Sequence, residues 1–256
     1  MTKAEEYRAK LRALDYWDSY LLAESGLPGP RGNLELAQVV ADEGNAALFQ
    51  HYIAYTPEQA PVNSPYEFLA FCGIVGLGRL LAEGDRTLLE PLRQHASDPR
   101  WRIREAVAMA LQRLGDVDMD SLIVEMEAWA EGTFLEQRAA AAALCEPRLL
   151  GQPAHTRAVL RILDGITVSI MQAEDRRSPD FSALRKGLGY CWSVAVVALP
   201  GEGKALMEKW LLNPDRDVRW IMSENLKKAR LERMDAVWVQ EWRANWPANW
   251  RGRTSD

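Results

Sequence analysis

The chain has 256 residues, 48% of them hydrophobic, which is enough to bury a sizeable core. Its 36 acidic and 31 basic side chains give a formal net charge of -5 and a pI near 5.4, whereas dedicated nucleic-acid binders are usually basic. No secretory signal and no membrane-spanning run is recognisable. We therefore expect a cytoplasmic protein with no membrane partner.

The first 62 residues predict divergent helices, one from about Ala4 to Glu24 and two shorter ones around Leu34 to Asp42 and Asn45 to Tyr55. A turn rich in Gly and Pro, residues 26–32, separates the first helix from the other two. The connector 56–65 contains three prolines, so it is either a hinge or a rigid surface loop, and the composition favours the rigid loop.

The segment from Asp98 to Gly115 has the pattern of an amphipathic helix. Asp98 can cap its start, Pro99 suits its first turn and Gly115 can end it. The apolar residues fall at the i, i+3, i+4, i+7, i+8 and i+11 positions of one helical face, namely Ile103, Ala106, Val107, Ala110, Leu111 and Leu114.

This pattern recurs along the chain. Asn213-Pro214 precedes Val218-Arg219 much as Asp98-Pro99 precedes Ile103-Arg104. With Arg138 and Arg185 in the same register, the helices step by 34, 47 and 34 residues, and a further step of 34 back from Arg104 reaches Ala70. Partner helices are predicted at 87–96, 119–130, 154–174 and 203–212. Because strand patterns are nearly absent, the fold class is all-α, an α-α superhelix of about five to six helix pairs.

Residues 98–111 and 213–226 resemble the inner helix of HEAT repeats, through Asp/Asn-Pro, then Val/Ile-Arg, then small apolar residues and Leu. The resemblance implies one solenoid domain over residues 1–250, with divergent helices at 1–62, recognisable repeats at 63–231, a capping helix at 232–250 and a flexible tail at 251–256. At fold level the chain is also distantly similar to the HEAT-like DNA alkylation-repair glycosylases.

The resemblance also implies a structural ladder. In HEAT repeats the equivalent arginine bonds an aspartate of a neighbouring repeat, and the pattern places Asp98 six residues before Arg104. The ladder arginines here are Arg104, Arg138, Arg185 and Arg219. Because Asn213, Gly132 and Pro179 stand where the other aspartates would be, the ladder is incomplete, and an anion-binding stripe is the alternative interpretation.

Catalytic and metal-binding patterns are missing from the sequence. Cys72, Cys145 and Cys191 align with core positions, which favours packing, and they are too few and too scattered for a disulfide framework. The three histidines lack metal-ligand spacing. The stretch 201–205 superficially resembles a phosphate loop but lacks its defining residues, which favours a turn between helices. We predict no metal, no cofactor and no catalytic residue, and favour a non-enzymatic role.

The residues opposite the core face of the second helix in each pair are predicted to line a concave groove. The resemblance to HEAT repeats implies that this face binds partners. The candidates are Trp101, Glu105, Met109 and Gln112 on one inner helix, Lys186 and Tyr190 with Ser182 and Ser193 on a second, and Arg216, Trp220, Glu224 and Lys227 on a third. A merely solvated face is the alternative.

Two other surface features stand out in the sequence. The presumed outer stretch from Asp116 to Glu131 is acidic and contains no Lys or Arg. Near the C-terminus, Trp238, Trp242, Trp246 and Trp250 recur at every fourth residue. They predict a capping helix over the last repeat, with a patch of Trp246 and Trp250 for a partner as the alternative.

These features support two functional hypotheses. The first is a non-catalytic module that binds a protein or peptide in its concave groove. The second is a DNA-binding or DNA-repair protein similar to the HEAT-like glycosylases, in which a Trp and an Asp one turn apart serve the damaged nucleotide. Trp220 and Glu224 are one turn apart, but the acid is Glu and the acidic pI opposes phosphate binding, so no catalytic residue is carried over.

Overall fold

A computed structural model describes residues 2–245, and every regular element in this range is helical. The all-α prediction is confirmed. The chain forms two compact units, unit 1 (Met1–Leu144) and unit 2 (Cys145–Asp256), and each is described by itself. One continuous domain over 1–250 stays a prediction, and the predicted tail at 251–256 lies outside the described residues.

Unit 1 consists of paired helices. The helices are α1 (Lys3–Arg12), α2 (Asp18–Glu24), α3 (Leu34–Glu43), α4 (Ala46–Ile53), α5 (Pro65–Ala82), α6 (Leu89–His95), α7 (Trp101–Val117), α8 (Met119–Ala130) and α9 (Phe134–Leu144). Helices α3, α5, α7 and α9 pack on one another in chain order, while α4, α6 and α8 pack beside them. The inner helices expected at 34-residue steps are therefore present in this unit.

Helix α5 is the centre of the core of unit 1. The Ser64 side chain caps its start by accepting from the Glu67 N–H, and Pro65 occupies the first turn. Gly78 lets α7 approach closely, because a Cβ there would lie 2.4 Å from the Cα of Ala110. By length and hydropathy α5 could cross a membrane, but 72% of it is buried inside the fold, as expected of a core helix.

The N-terminal segment differs from its prediction. One helix was expected from Ala4 to Glu24, but α1 ends at Arg12 and α2 begins at Asp18. The Trp17 indole N–H donates to the Leu11 carbonyl oxygen at 2.9 Å, and this carbonyl at the end of α1 also accepts from the Leu14 N–H at 3.1 Å. The break lets both helices pack their apolar sides, since Leu11 and Leu21 are fully buried.

Unit 2 also consists of paired helices. They are α10 (Pro153–Gln172), α11 (Pro179–Ala198), α12 (Pro200–Leu211), α13 (Arg216–Leu226), α14 (Ala229–Met234) and α15 (Ala236–Ala244). Helix α11 packs on α13, with α10 and α12 beside them. The lengthened partner helix predicted at 154–174 is α10, which has 20 residues.

A buried amide joins the two inner helices of unit 2. Asn225 on α13 is fully buried; its Nδ2 donates to the Leu188 carbonyl oxygen of α11 at 2.8 Å, and its Oδ1 accepts from the Ser193 N–H at 2.8 Å. Ser193, expected on the groove face, is instead buried in this contact, so that prediction was wrong. The Asn225 side chain thus bonds main-chain groups of α11, although main-chain groups inside a helix are usually paired within that helix.

The described C-terminal segment covers the end of unit 2. Trp238 on α15 is buried and its indole N–H donates to Glu208 of α12 at 2.7 Å, while Trp242 is half-buried. Asp235 caps α15 and accepts from Lys204 at 2.8 Å. These contacts are what a capping helix would make. Trp246 and Trp250, named for the alternative partner patch, lie outside the described residues.

Candidate binding site

Unit 1 contains a cavity of about 490 Å³. Most of its lining is apolar, and seven of the lining residues are hydrophobic or Pro. The lining residues are Leu27, Pro30, Arg31, Gly32, Leu34, Phe68, Phe71, Trp101, Arg102, Glu105 and Met109. Ligand sites in proteins are typically concave, mainly apolar and 300–1,000 Å³ in volume, so this cavity has the size and chemistry of a binding site.

Two helices form the floor of the cavity. On α5, Phe68 and Phe71 stack nearly parallel, with ring centroids 6.4 Å apart. On α7, Trp101, Glu105 and Met109 are spaced four residues apart and so share one helical face. Three predicted groove residues are therefore brought to one cavity.

A loop closes the third side of the cavity. Gly26 has a φ of +71°, where a residue with a side chain would be strained, and a Cβ on Gly29 would lie 2.4 Å from the Gly26 carbonyl oxygen. Residues far from the loop in sequence hold it in place by hydrogen bonds. The Gly29 N–H donates to Asn63 Oδ1 at 2.9 Å, and Arg102 donates to the Gly29 carbonyl oxygen at 2.7 Å.

Arg102 connects this loop to the floor. Its guanidinium donates to the fully buried Glu67 carboxylate at 3.1 Å and lies 4.4 Å from the centroid of the Trp101 ring. The two charges neutralise each other inside the unit, which buried charges require. Arg102 therefore holds both the loop and the indole in position.

Of the other two charged residues that line the cavity, Glu105 is paired and Arg31 is not. Glu105 accepts a hydrogen bond from Arg138, so its charge is compensated. Arg31 is exposed, and its side chain has no ion pair with any residue in the range 2–245. Leu34 and Trp101 also keep 48% and 45% of their surface exposed, so apolar surface and a cation lie at the same cavity.

Gln112, the fourth groove candidate in unit 1, does not line this cavity. Its Nε2 donates to the Ala142 carbonyl oxygen of α9 at 3.1 Å. The side chain therefore braces α7 against α9.

Apart from Ser193, which is buried, the groove candidates of unit 2 lie at the surface. Lys186 and Tyr190 are exposed and one turn apart on α11, while Arg216 and Lys227 are exposed and Trp220 and Glu224 half-exposed on α13. Glu224 accepts from Lys227.

Cations surround the aromatic rings of this face. The Arg230 guanidinium lies 4.4 Å from the centroid of the Tyr190 ring and donates to its hydroxyl, and Lys228 Nζ lies 5.7 Å away. Arg185 lies 4.1 Å from the Trp220 ring centroid. Aromatic rings and cations are thus interleaved on one surface of unit 2.

The ladder arginines bond mainly to backbone and to neighbouring helices. Arg104 donates to the Asp98 carbonyl oxygen at 2.6 Å, and Arg219 donates to the Asn213 carbonyl oxygen at 3.2 Å, six residues back in both cases. Arg138 donates to the Arg104 carbonyl oxygen. Arg185 pairs with Asp217 at 3.1 Å, and burial lowers the pKa of its guanidinium.

Asp98, the aspartate of the predicted ladder, pairs its carboxylate with Arg100 and not with a ladder arginine. The Asp98 carboxylate accepts from the main-chain N–H and the guanidinium of Arg100, at 2.7 to 2.9 Å, and both side chains are buried. Arg100 also donates to the carbonyl oxygens of Tyr55 and Ala60. Asp98 does not cap α7 as predicted, because Arg100 occupies its carboxylate and α7 begins only at Trp101.

Several other sequence features find plain structural roles. Residues 201–205 lie inside the first turns of α12, so the predicted turn between helices was wrong: Pro200 starts the helix instead of breaking it. Asp118 of the acidic stretch pairs with Arg86 at 3.2 Å. All three cysteines are buried, as their core alignment predicts. No cluster of three or more His, Cys, Asp or Glu side chains suited to a metal occurs among the described residues.

Sequence reasoning missed the loop wall and the two phenylalanines of the cavity. The Gly- and Pro-rich turn at 26–32 was recognisable as a loop, but its anchor, Arg102, lies 73 residues from Gly29 in sequence. Nothing local in the sequence indicates that pairing.

Comparisons with known proteins add no relative. No protein-family model, no curated protein and no solved structure matches this chain. The HEAT resemblance therefore stays a prediction.

Proposed function

We propose that the chain is a non-catalytic binding module that holds a protein or peptide partner, with the cavity of unit 1 receiving an apolar side chain. The observation that carries the proposal is this apolar cavity, next to exposed surface of Leu34 and Trp101. Burying apolar surface yields about 25 cal/mol per Å². Trp is also among the residues enriched at binding hot spots.

The charges of the cavity narrow the kind of partner. With Glu105 paired to Arg138, Arg31 is the unpaired charge among the lining residues. We expect a partner segment with a large apolar residue followed or preceded closely by Asp or Glu, because an acidic neighbour would meet Arg31 and complementary charges favour binding.

Selection from a random peptide library against the whole chain tests this proposal. Enriched peptides should share the apolar and acidic pair, and their affinity should fall about 30-fold in Trp101→Ala, the ratio for a loss of about 2 kcal/mol. Gly32→Leu should act similarly by filling the cavity, since a Cβ on Gly32 lies 3.6 Å from the Phe68 ring in ordinary contact.

The matched control is Val124→Ala, which trims an exposed apolar side chain of α8 outside the cavity. Its affinity should equal that of the wild type. Peptides without an apolar anchor, or equal losses in Trp101→Ala and Val124→Ala, would show that the cavity is not the binding site.

A second candidate function is binding to a nucleic acid, and the distribution of charge favours it. Residues 145–256 contain 18 Lys and Arg against 14 Asp and Glu, a formal charge of +4, whereas residues 1–144 contain 13 against 22, a formal charge of -9. The acidic pI thus describes unit 1, and unit 2 has cations around Tyr190 and Trp220. Stacking rings within a basic surface suit single-stranded nucleic acid.

A further inference from the structure

A second pocket lies near the N-terminus of unit 1, and the proposed function does not use it. It has a volume of about 670 Å³, and its lining comes from two segments, 11–19 and 43–51. The first segment contains the turn between α1 and α2, and the second leads into α4. No residue lines both this pocket and the apolar cavity, so the two are separate candidate sites.

Two carboxylates that line this pocket have no Lys or Arg partner among residues 2–245. Asp15 is exposed, and its side chain makes neither an ion pair nor a hydrogen bond in that range. Asp18 accepts from the Tyr52 hydroxyl at 2.7 Å, a neutral donor that leaves the negative charge in place. Its second carboxylate oxygen lies 3.9 Å from His51 Nε2, beyond ordinary hydrogen-bond distance. Each carboxylate can therefore accept hydrogen bonds from a ligand.

Arg12, which also lines the pocket, is already paired. Its guanidinium donates to Glu43 at 2.7 and 3.0 Å, and Arg8 donates to the same carboxylate at 2.8 Å. Arg12 and Glu43 neutralise each other, so the two other carboxylates give the lining a net negative charge. The formal charge of unit 1, -9, has the same sign.

Aromatic rings line the pocket together with these carboxylates. Tyr16 keeps 88% of its surface exposed, and the Trp17 indole is held in place because its N–H donates to the Leu11 carbonyl oxygen at 2.9 Å. Aromatic faces attract cations, and those of Trp do so most strongly. The rings and the carboxylates therefore favour the same kind of ligand, a cation with an apolar stem.

A run of rings continues from the pocket over the surface of unit 1. The His51 ring centroid lies 5.7 Å from that of Tyr55, which lies 5.8 Å from that of Tyr66. His51 and Tyr66 are exposed, and Tyr55 is half-buried. Because this run extends beyond the lining of the pocket, a ligand that uses it must be longer than a single cationic group.

We propose that this pocket binds an arginine or lysine side chain of a protein partner. The cationic head group would bond to Asp15 and Asp18, and its methylene stem would lie against Tyr16 and Trp17. The backbone of the partner would continue along the rings outside the pocket. The two sites of unit 1 would then take opposite charges, since Arg31 favours an acidic segment at the apolar cavity.

An NMR titration of the isotope-labelled full chain at about pH 8, where histidine side chains are neutral, tests the proposal. The probe is acetyl-Pro-Pro-Arg-Pro-Pro-amide, because proline keeps the peptide extended and packs well in aromatic-lined grooves. We expect a saturable shift of the Trp17 indole N–H signal, assigned by its absence in Trp17→Phe, with a dissociation constant on the order of 1 mM. The same peptide with citrulline, a neutral isostere of arginine, should cause no such shift.

Asp15→Asn is the decisive variant, because Asp15 is exposed and unpaired, so its replacement should leave the fold unchanged. It should weaken binding of the arginine peptide about fivefold, the upper end of the range for an exposed ion pair. Glu127→Gln is the matched control: it removes the same charge from an exposed residue of α8 that does not line the pocket, and should bind as the wild type does. Trp101→Ala should also bind as the wild type does, because Trp101 lines the apolar cavity, so either site can fail without the other.

Equal affinities for the arginine and citrulline peptides would show that no cation is recognised and would overturn the proposal. Equal losses in Asp15→Asn and Glu127→Gln would do the same, because the overall charge of unit 1 would then govern binding. So would the absence of a saturable shift at about 10 mM peptide. Methylguanidinium, the bare head group, should bind more weakly than the peptide, and equal affinity would rule out the protein partner.

Discussion

Asn225 shows how one buried polar side chain can link two helices. Its amide meets the Leu188 carbonyl and the Ser193 N–H of α11, and it is fully buried. Replacement by Leu has similar volume but removes both hydrogen bonds between the helices, and each hydrogen bond contributes about 0.5–1.5 kcal/mol. We expect Asn225→Leu to lower the free energy of unfolding by about 1–3 kcal/mol in urea denaturation.

The control for this variant is Ser223→Ala on the same helix. The Ser223 hydroxyl donates only within α13, to the Trp220 carbonyl oxygen, so its removal should change the free energy of unfolding by less than about 1 kcal/mol. Equal urea midpoints for Asn225→Leu and Ser223→Ala would mean that the amide does not stabilise the helix pair.

His95 makes the stability of unit 1 depend on pH. Burial lowers its pKa below the ordinary value of 6.5, with Arg100 acting in the same direction and Asp98 opposing. The unfolded chain therefore binds a proton at higher pH than the folded chain. The contribution of neutral His95 to stability is complete above about pH 6.5 and is lost progressively as the pH falls below that value, until the folded pKa is passed.

Urea midpoints measured between pH 7.5 and 5.5 test this dependence. The free energy of unfolding should fall by at most about 1.4 kcal/mol per pH unit from this group, and His95→Gln should flatten the profile. A wild-type profile that rises on acidification would contradict the sign of the shift.

At the level of the element, Arg100 explains why the proline-rich connector before α5 is held in place. Its buried guanidinium binds Asp98 and the carbonyl oxygens of Tyr55, just before the connector, and Ala60, in its middle. Removing one member of a buried ion pair typically costs about 3–5 kcal/mol, since the other charge stays buried. We expect Arg100→Met to destabilise the chain by this amount and to speed amide exchange in residues 54–63.

Arg86→Met is the comparison for Arg100→Met. Arg86 pairs with Asp118 at the surface, where an ion pair contributes about 0–1 kcal/mol. If both variants unfolded at the same denaturant concentration, the connector would not depend on Arg100, and the hinge interpretation would regain support.

Helices were predictable from sequence wherever one apolar face met a capping residue at its start. The helix expected at 119–130 is α8 with the same limits, because Asp118 caps it and its apolar residues keep one face. The break after Arg12 was not predictable from periodicity, since the apolar pattern continues through it and the hydrogen bond from the Trp17 indole to the Leu11 carbonyl oxygen depends on how the chain turns. Local sequence patterns therefore predicted that a helix is present better than they predicted where it begins and ends.

Across the whole molecule, net charge concealed an asymmetry. The sequence contains every charge, but the division after Leu144 comes from long-range contacts, so the formal charges of -9 and +4 emerge only with the structure. The candidate binding site was likewise only partly predictable from the sequence. Helical spacing placed Trp101, Glu105 and Met109 on one face, whereas the loop that completes their cavity depends on Arg102 and Gly29, far apart in sequence.

The asymmetry predicts where a polyanion binds. We expect weak binding of fluorescent single-stranded DNA at low salt, measured by anisotropy, with the contacts on unit 2. If two phosphates are neutralised, a fourfold rise in salt should lower the affinity about sevenfold, from a slope of about -0.7 per phosphate. Lys228→Glu with Arg230→Glu should abolish binding, because both cations flank the exposed Tyr190 ring.

Lys3→Glu with Lys10→Glu is the matched control, since it changes the net charge equally but on exposed residues of α1 in unit 1. Its affinity for DNA should stay within about twofold of the wild type, because neither lysine contacts the Tyr190 or Trp220 ring. Equal loss in both double variants would mean that total charge, and not the face around Tyr190, governs the interaction. No binding even at low salt would refute the second candidate function and leave the peptide-binding module.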